Sequence, residues 1–361
     1  MKAAILLPVL AGRDAVGNDA LAMARLLRGR GIETRFFCNA AVGVDERAQP
    51  PEDALAFASG PGDLLIYHFS VGWPAALDIL RRARAYRVVR YHNITPPEFF
   101  APYSIDYENA CKGGRAEIEA VARLGCERYI GASHYNLAEL VEAGTPAGRG
   151  TVVAPFHRVE ELVAAEADLA LLDRLGDGAR NVLMVGRVSP NKGHVELVDA
   201  FAAYVDGYGD PARLIIVGKA DPRLSGYTDA IRERIAHHRL GARVRWLENV
   251  DEARLKAAYL ASHAFVTLSR HEGFCVPLIE AMALGVPVVA HASSAIPETA
   301  GDGALLWEGT QPWPYAASIA RVTDDRDCRG RLLDAARRRY EAEFAPGVLA
   351  RRFLDALEPL A

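Results

Sequence analysis

Ala264-Phe265-Val266-Thr267-Leu268-Ser269-Arg270-His271-Glu272-Gly273-Phe274-Cys275-Val276-Pro277-Leu278-Ile279-Glu280-Ala281-Met282-Ala283-Leu284-Gly285-Val286-Pro287-Val288-Val289-Ala290 decides the fold of this chain. It opens with an apolar run, passes a Gly-Phe loop, enters a helix that Gly285 stops, and ends in a second buried run. That order is strand, loop, helix, C-cap, strand. Two carboxylates, Glu272 and Glu280, stand with seven residues between them. Glu272 lies in the loop, where glycine lets backbone approach a ligand closely. Glu280 lies about a turn into the helix. The N–H groups between them sit at a helix start, which attracts phosphate. Hydroxyl-binding carboxylates on either side of a phosphate-binding helix start suit a sugar nucleotide, with hydroxyls at both ends and a diphosphate between.

The same alternation runs outward in both directions. Residues 3–7, 33–38, 63–67, 87–91, 128–132 and 151–153 read as strands, with a helix at 18–29. After Pro155 the chain turns acidic and Ala/Leu-rich until strands resume at 181–185, 213–217, 243–246, 264–268, 286–290 and 303–307. Strands alternating with helices imply parallel sheets. We read an N-terminal domain over 1–158, a passage over 159–180, a second domain over 181–335 and a terminal helical part over 336–361. Both domains are expected to be α/β and doubly wound. Ligands in such sheets bind beyond the carboxyl ends of the strands, so a cleft between the domains is the expected site.

With 361 residues, half of them apolar, the chain is long enough for two cores. A net charge of −4 gives no sign of a nucleic-acid partner. The Arg81-Arg82-Ala83-Arg84 and Arg337-Arg338-Arg339 clusters read as solvated helix faces, the alternative being contact with anionic head groups. Five scattered cysteines show neither metal-ligand spacing nor a disulfide framework, which fits a reducing cytoplasm. The first apolar run is too short for a signal-peptide core, and no eighteen apolar residues run together. We therefore expect a cytoplasmic protein, with peripheral contact at the inner membrane surface at most.

A second motif supports the first. Gly186-Arg187-Val188-Ser189-Pro190-Asn191-Lys192-Gly193 ends a strand with glycine, then offers a guanidinium fork and a compact ammonium before a helix. Fixed cations at a leaving diphosphate stabilise a transition state more than a ground state. The two segments together resemble the E-x7-E and Gly-Arg…Lys-Gly signatures of the retaining family 4 glycosyltransferases, the glycosyl transferases group 1. That resemblance implies the GT-B fold: two Rossmann-like domains facing across a cleft, with the terminal helix crossing back to the first. It implies that Gly186, Arg187 and Lys192 hold the donor diphosphate and Glu280 the ribose. Glu272 would face the hexose, with Gly273, Phe274, Cys275 and Val276 lining the site. Gly218, Lys219 and Val250 would border the base, whose identity stays open. The family usually has Gly where this chain has Cys275. As a nucleophile Cys275 lacks a neighbouring base, so it reads as a pocket-lining residue.

On the acceptor side, His92 and Asn93 end a strand and open a Pro-rich loop. The resemblance implies that His92 contacts the transferred sugar, which places it with Arg187, Lys192 and Glu272 as the catalytic set. His68 ends the preceding strand and is a weaker candidate. The family's Gly-Gly pair in the first loop is Gly17-Asn18 here, expected before the first helix and open to phosphate or hydroxyl approach. Ser133 reads as a helix cap.

The expected activity is transfer of a hexose from a GDP- or UDP-linked donor to a glycan, glycolipid or small-molecule hydroxyl, with an α linkage, as in polysaccharide biosynthesis. The resemblance implies no cofactor and no obligatory metal, and the absence of a D-x-D cluster at a strand end agrees with that. The alternatives are a sugar-nucleotide epimerase of the same fold and a binding protein without turnover.

Overall fold

The computed structural model describes residues 1–12, 14–209 and 211–357. Arg13 of the first loop and residues 358–361 of the terminal part lie outside the described residues. The chain divides into two compact units, Met1–Glu98 with Asp106–His157 and Ala345–Ala361, and Phe99–Ile105 with Arg158–Phe344.

The described residues form fifteen strands: β1 Lys2–Leu6, β2 Val9–Ala11, β3 Glu33–Phe37, β4 Ala40–Val42, β5 Ala48–Gln49, β6 Leu64–Phe69, β7 Tyr86–Tyr91, β8 Arg128–Gly131, β9 Gly150–Val152, β10 Arg180–Val185, β11 Ala212–Val217, β12 Val244–Leu247, β13 Ala264–Thr267, β14 Val288–His291 and β15 Ala304–Trp307. In the first unit the sheet order is β5-β3-β1-β6-β7-β8-β9, with β2 and β4 paired separately. In the second it is β12-β11-β10-β13-β14-β15. The described ladders are parallel. The twelve strands read from the sequence are all present, within a residue or two at their ends. The missed ones, β2, β4 and β5, have two or three residues each and no buried apolar run to betray them.

Parallel strands covered on both faces read as continuous apolar runs. β11, Ala-Arg-Leu-Ile-Ile-Val, is buried throughout and packs into a core with Phe201, Tyr204 and Ile319. β6, Leu-Leu-Ile-Tyr-His-Phe, is buried throughout in the first unit and carries His68 inside. None of the five cysteines is in a disulfide; Cys38, Cys126, Cys275 and Cys328 are buried and Cys111 is half-buried. No described helix is long and apolar enough to cross a membrane.

Three sequence readings change. The first helix is Ala15–Gly29 and not 18–29: Asp14 caps it, accepting from the Val16 and Gly17 amides at 2.7 and 3.0 Å. The 159–180 passage is helical, Val159–Ala164 and Leu169–Leu175, and belongs to the second unit. The return to the first unit begins at 345, not 336. The helix Arg326–Arg339 stays in the second unit, a π turn at Tyr340–Phe344 follows, and only then comes the helix Pro346–Ala356. Tyr340 is held there by a 2.9 Å bond from its hydroxyl to Glu160, and Phe344 by the edge-on ring of Phe274. Phe99–Ile105 also packs in the second unit, with Arg270 over the Phe99 ring at 5.0 Å and Tyr103 edge-on to Tyr227.

Candidate functional site

In the second unit β10 is flanked by β11 on one side and β13 on the other. The direction of winding reverses there, and such a switch point leaves a crevice beyond the strand ends. Both sequence motifs converge on it. The loop after β10 brings Lys192, and the loop after β13 brings Glu272. Lys192 Nζ lies 2.7 and 2.8 Å from the two Glu272 carboxylate oxygens. The side chains are 18% and 8% exposed.

The backbone around the pair is fixed from several directions. Asn191 Nδ2 donates to the His271 carbonyl at 3.0 Å, and the Arg270 amide donates to the Asn191 carbonyl at 2.8 Å. The Glu272 amide donates to Ser294 Oγ at 2.7 Å, and Thr299 Oγ1 to the Phe274 carbonyl at 2.8 Å. Gly193 has φ +67°, and a Cβ there would sit 2.0 Å from the Leu268 carbonyl oxygen. Only glycine lets the β10 and β13 loops approach so closely.

Cys275 is the N-cap of the helix Val276–Ala283 with φ 79° and makes no capping bond. A side chain in the left-handed region costs energy, and such strain collects at functional sites. Burial, with Glu272 beside it, pushes the Cys275 thiol above its usual range, so it stays protonated at neutral pH. Glu280 accepts from the Tyr259 hydroxyl at 2.7 Å. Crowding around its carboxyl raises its pKa, against the pull of that bond. Arg187 and Lys219 are exposed at the ends of β10 and β11, next to half-buried Gly186 and Gly218. The Gly218 amide is spent on the Leu247 carbonyl at 3.1 Å, which ties the β11 end to the strand that leads to Val250.

The first unit has its own switch point at β1, flanked by β3 and β6. Here the sequence reading is corrected. Gly17 and Asn18 lie inside the first helix. The Gly17 amide is taken by Asp14, and a Cβ on Gly17 would meet the Ala11 carbonyl oxygen at 1.8 Å. Gly17 therefore answers a packing need. Asn93, with φ 74°, turns its amide onto Asn136 Oδ1 at 3.0 Å and Glu139 Oε2 at 3.4 Å. Ser133 caps its helix as expected, accepting from the Asn136 amide at 3.2 Å.

His92 sits in a group the sequence reading did not assemble. Its Nε2 is 2.9 Å from His68 Nδ1 and 3.5 Å from Asp19 Oδ2. Arg90 Nε donates to the same Asp19 oxygen at 2.7 Å, and Arg90 and Asp19 are both fully buried. The Phe156 amide donates to Asp19 Oδ1 at 2.8 Å. Burial pushes the Asp19 carboxyl up, but Arg90, His92 and His68 together hold the group below its usual range. Burial pushes His68 down to about 4 and His92 well below its ordinary value, so both rings are neutral at pH 7. Asp19, His68 and His92 have the donor atoms of a metal site. The Arg90 cation already neutralises Asp19, and a divalent ion there would leave excess buried positive charge. An arginine inside the apolar run Val88-Val89-Arg90-Tyr91 and an aspartate on a buried helix face were the available signals.

Comparison with known proteins agrees with this geometry. Residues 173–339 match the family described as glycosyl transferases group 1. The "Serotype-specific mannosyltransferase WbdA" of Escherichia coli is 32% identical over 148 residues, 41% of this chain and 17% of that protein. The "D-inositol 3-phosphate glycosyltransferase" of Corynebacterium glutamicum is 29% identical over 153 residues, 42% of this chain and 37% of that one. The chain thus spans less than half the length of these relatives. Among solved structures, Anabaena Alr3699/HepE in complex with UDP-glucose superposes with a TM-score of 0.74 at 18% identity, covering 99% of both chains. Sucrose-phosphate synthase of Thermosynechococcus elongatus gives 0.76 at 19% identity, over 100% of this chain and 99% of that one. Those likenesses establish the GT-B fold, and within it residues 173–339 carry the match to the glycosyl transferases group 1 family.

Proposed function

We propose that this chain is a retaining glycosyltransferase that moves a hexose from a nucleoside-diphosphate sugar to a hydroxyl of a glycan, lipid-linked or small-molecule acceptor, forming an α linkage. The observation that carries the reading is the Lys192–Glu272 pair at the β10/β13 switch point, with Glu280 on the helix that follows. Arg187 and Lys192 take up the charge that develops on the diphosphate as the glycosidic bond breaks. Glu272 accepts from hexose hydroxyls and Glu280 from ribose hydroxyls, while the loop at 273–276 holds the phosphates and sugar. In front-side displacement the acceptor oxygen bonds to the anomeric carbon as the bond to phosphate opens. The leaving phosphate takes the acceptor proton. No protein nucleophile is needed, and the protonated Cys275 thiol does not offer one. As proposed, the reaction uses no cofactor or metal, and it runs in the cytoplasm, at the membrane surface where the acceptor is lipid-linked.

UDP-glucose in the HepE structure and the mannosyltransferase among the relatives motivate a UDP- or GDP-linked hexose as donor. A thermal-shift panel with UDP, GDP, ADP, TDP and their hexose conjugates tests this. A ligand at a hundredfold excess over its Kd stabilises the folded state by about 2.7 kcal/mol. One nucleotide standing above the rest identifies the base, and an α-configured product identifies retention. No shift with any of them refutes the donor site. Isomerised donor without acceptor would point to an epimerase.

A further inference from the structure

We propose that His68 is a positioning residue for His92: through its Nδ1···Nε2 contact, backed by Asp19 and Arg90, it fixes the orientation and tautomer of the His92 ring so that His92 presents an N–H donor to substrate. The inference rests on the transferase reading for the identity of that substrate, but the tautomer itself does not depend on it.

Two neutral imidazoles 2.9 Å apart share one hydrogen, so one ring donates and the other accepts. His68 is fully buried, and its other nitrogen, Nε2, has no hydrogen-bond partner. If His92 Nε2 were the donor, the His68 proton would be on that buried Nε2, with nothing to receive it. An orphaned buried N–H is rarer and less tolerable than a bare lone pair. His68 therefore carries its proton on Nδ1 and donates to His92 Nε2. Asp19 Oδ2 lies 3.9 Å from His68 Nδ1 and 3.5 Å from His92 Nε2, so it faces both contact atoms and the partnerless His68 Nε2 decides between them. His92 Nε2 is then the acceptor, and the His92 proton is on Nδ1.

The charged and titratable groups facing the pair are Asp19 from the first helix and Arg90 from β7, which neutralise one another. Near-parallel rings, 5.2 Å between centroids and 18° apart, leave His92 little freedom to swing. The ring is thus set to donate to an oxygen lone pair. It is not set to act as a general base, which agrees with a reaction in which the leaving phosphate takes the proton.

The test uses the full chain labelled with 15N at histidine, with the variants His68→Asn and His68→Leu. An Asn amide can donate from nearly the place of Nδ1–H, whereas Leu fills the space and donates nothing. We expect imidazole 15N shifts to show both histidines neutral at pH 7 with the proton on Nδ1. Glycosyl transfer should fall in kcat/KM by about 10-fold to 100-fold in His68→Leu, mainly in kcat. His68→Asn should recover most of that loss, and His92→Asn, which keeps a donor, should exceed His92→Ala. A proton on His68 Nε2, equal activities for His68→Leu and wild type, or stoichiometric metal in the purified protein would each overturn the proposal. If no donor sugar is turned over by wild type, the transferase reading fails, while the 15N shifts still decide the tautomer.

Discussion

Replacing Lys192 with Ala removes one half of a nearly buried ion pair and leaves the other in place. At the 2.7 Å separation, with an effective dielectric of about 20, the two charges attract by about 6 kcal/mol before desolvation is counted. Much of that attraction offsets the cost of burying Glu272, which remains when Lys192 is gone. Breaking a buried pair from one side costs about 3–5 kcal/mol. Lys192 is 18% exposed, so water reaches the vacated space and the lower end applies, about 3 kcal/mol. For a unit of this size that lowers the melting temperature by about 6–12 °C. The double variant Lys192→Ala/Glu272→Gln carries no orphaned charge and should regain most of the loss. It should regain no activity, because both groups are also the ones proposed to hold the donor. Scanning calorimetry of wild type, both single variants and the double variant closes the cycle. A Lys192→Ala protein melting within about 1 °C of wild type, or a double variant no more stable than the single, would refute the reasoning.

Four further outcomes are expected. Glu272→Ala and Lys192→Ala should each lower kcat/KM on the order of 10²-fold in a transfer assay, about 2.7 kcal/mol of transition-state stabilisation. His68, held near 4, and His194, fully buried and held near 3, are depressed from about 6.5; their stabilisation is complete above that pH and is lost as pH falls toward the folded values. Urea midpoints should therefore drop from pH 6.5 to pH 4, and His194→Gln should flatten the slope. Cys275→Gly relieves a left-handed backbone that Cys275→Ala keeps, so the glycine variant should be the more stable by about 1 kcal/mol in urea titrations. Gly193→Ala drives a methyl into the Leu268 carbonyl and should cost several kcal/mol, read as lost soluble yield or a lowered melting point.

The fold was legible because parallel strands announce themselves. Runs such as Leu214-Ile215-Ile216-Val217 are apolar on both faces, and glycine marks where they end. The meeting of Lys192 with Glu272 was legible for a related reason: each lies a few residues past a strand, and the switch-point rule carries them to one place. The buried polar cluster of the first unit was harder to read. Asp19, His68, Arg90 and His92 come from one helix, two strands and the loop after the second, and nothing in their spacing says that their side chains meet. Asn18 and Asp19 are capping residue types at the start of the helix read over 18–29, yet Asp14 stands first and takes the amides. Tyr259 has no motif at all; only the folded chain lays its hydroxyl on Glu280.

The distribution of thiols gives the protein a built-in clock. Cys111, half-buried on the helix Ile105–Ala122, is the cysteine that an alkylating reagent reaches first. Cys275 is sealed and protonated at the very loop assigned to the donor. A reagent at neutral pH should label Cys111 quickly and Cys275 only when its loop opens. Following addition at Cys275 by peptide mass would time the excursions of its loop in the unmodified sequence, and a nucleotide bound at the proposed donor site should slow that addition.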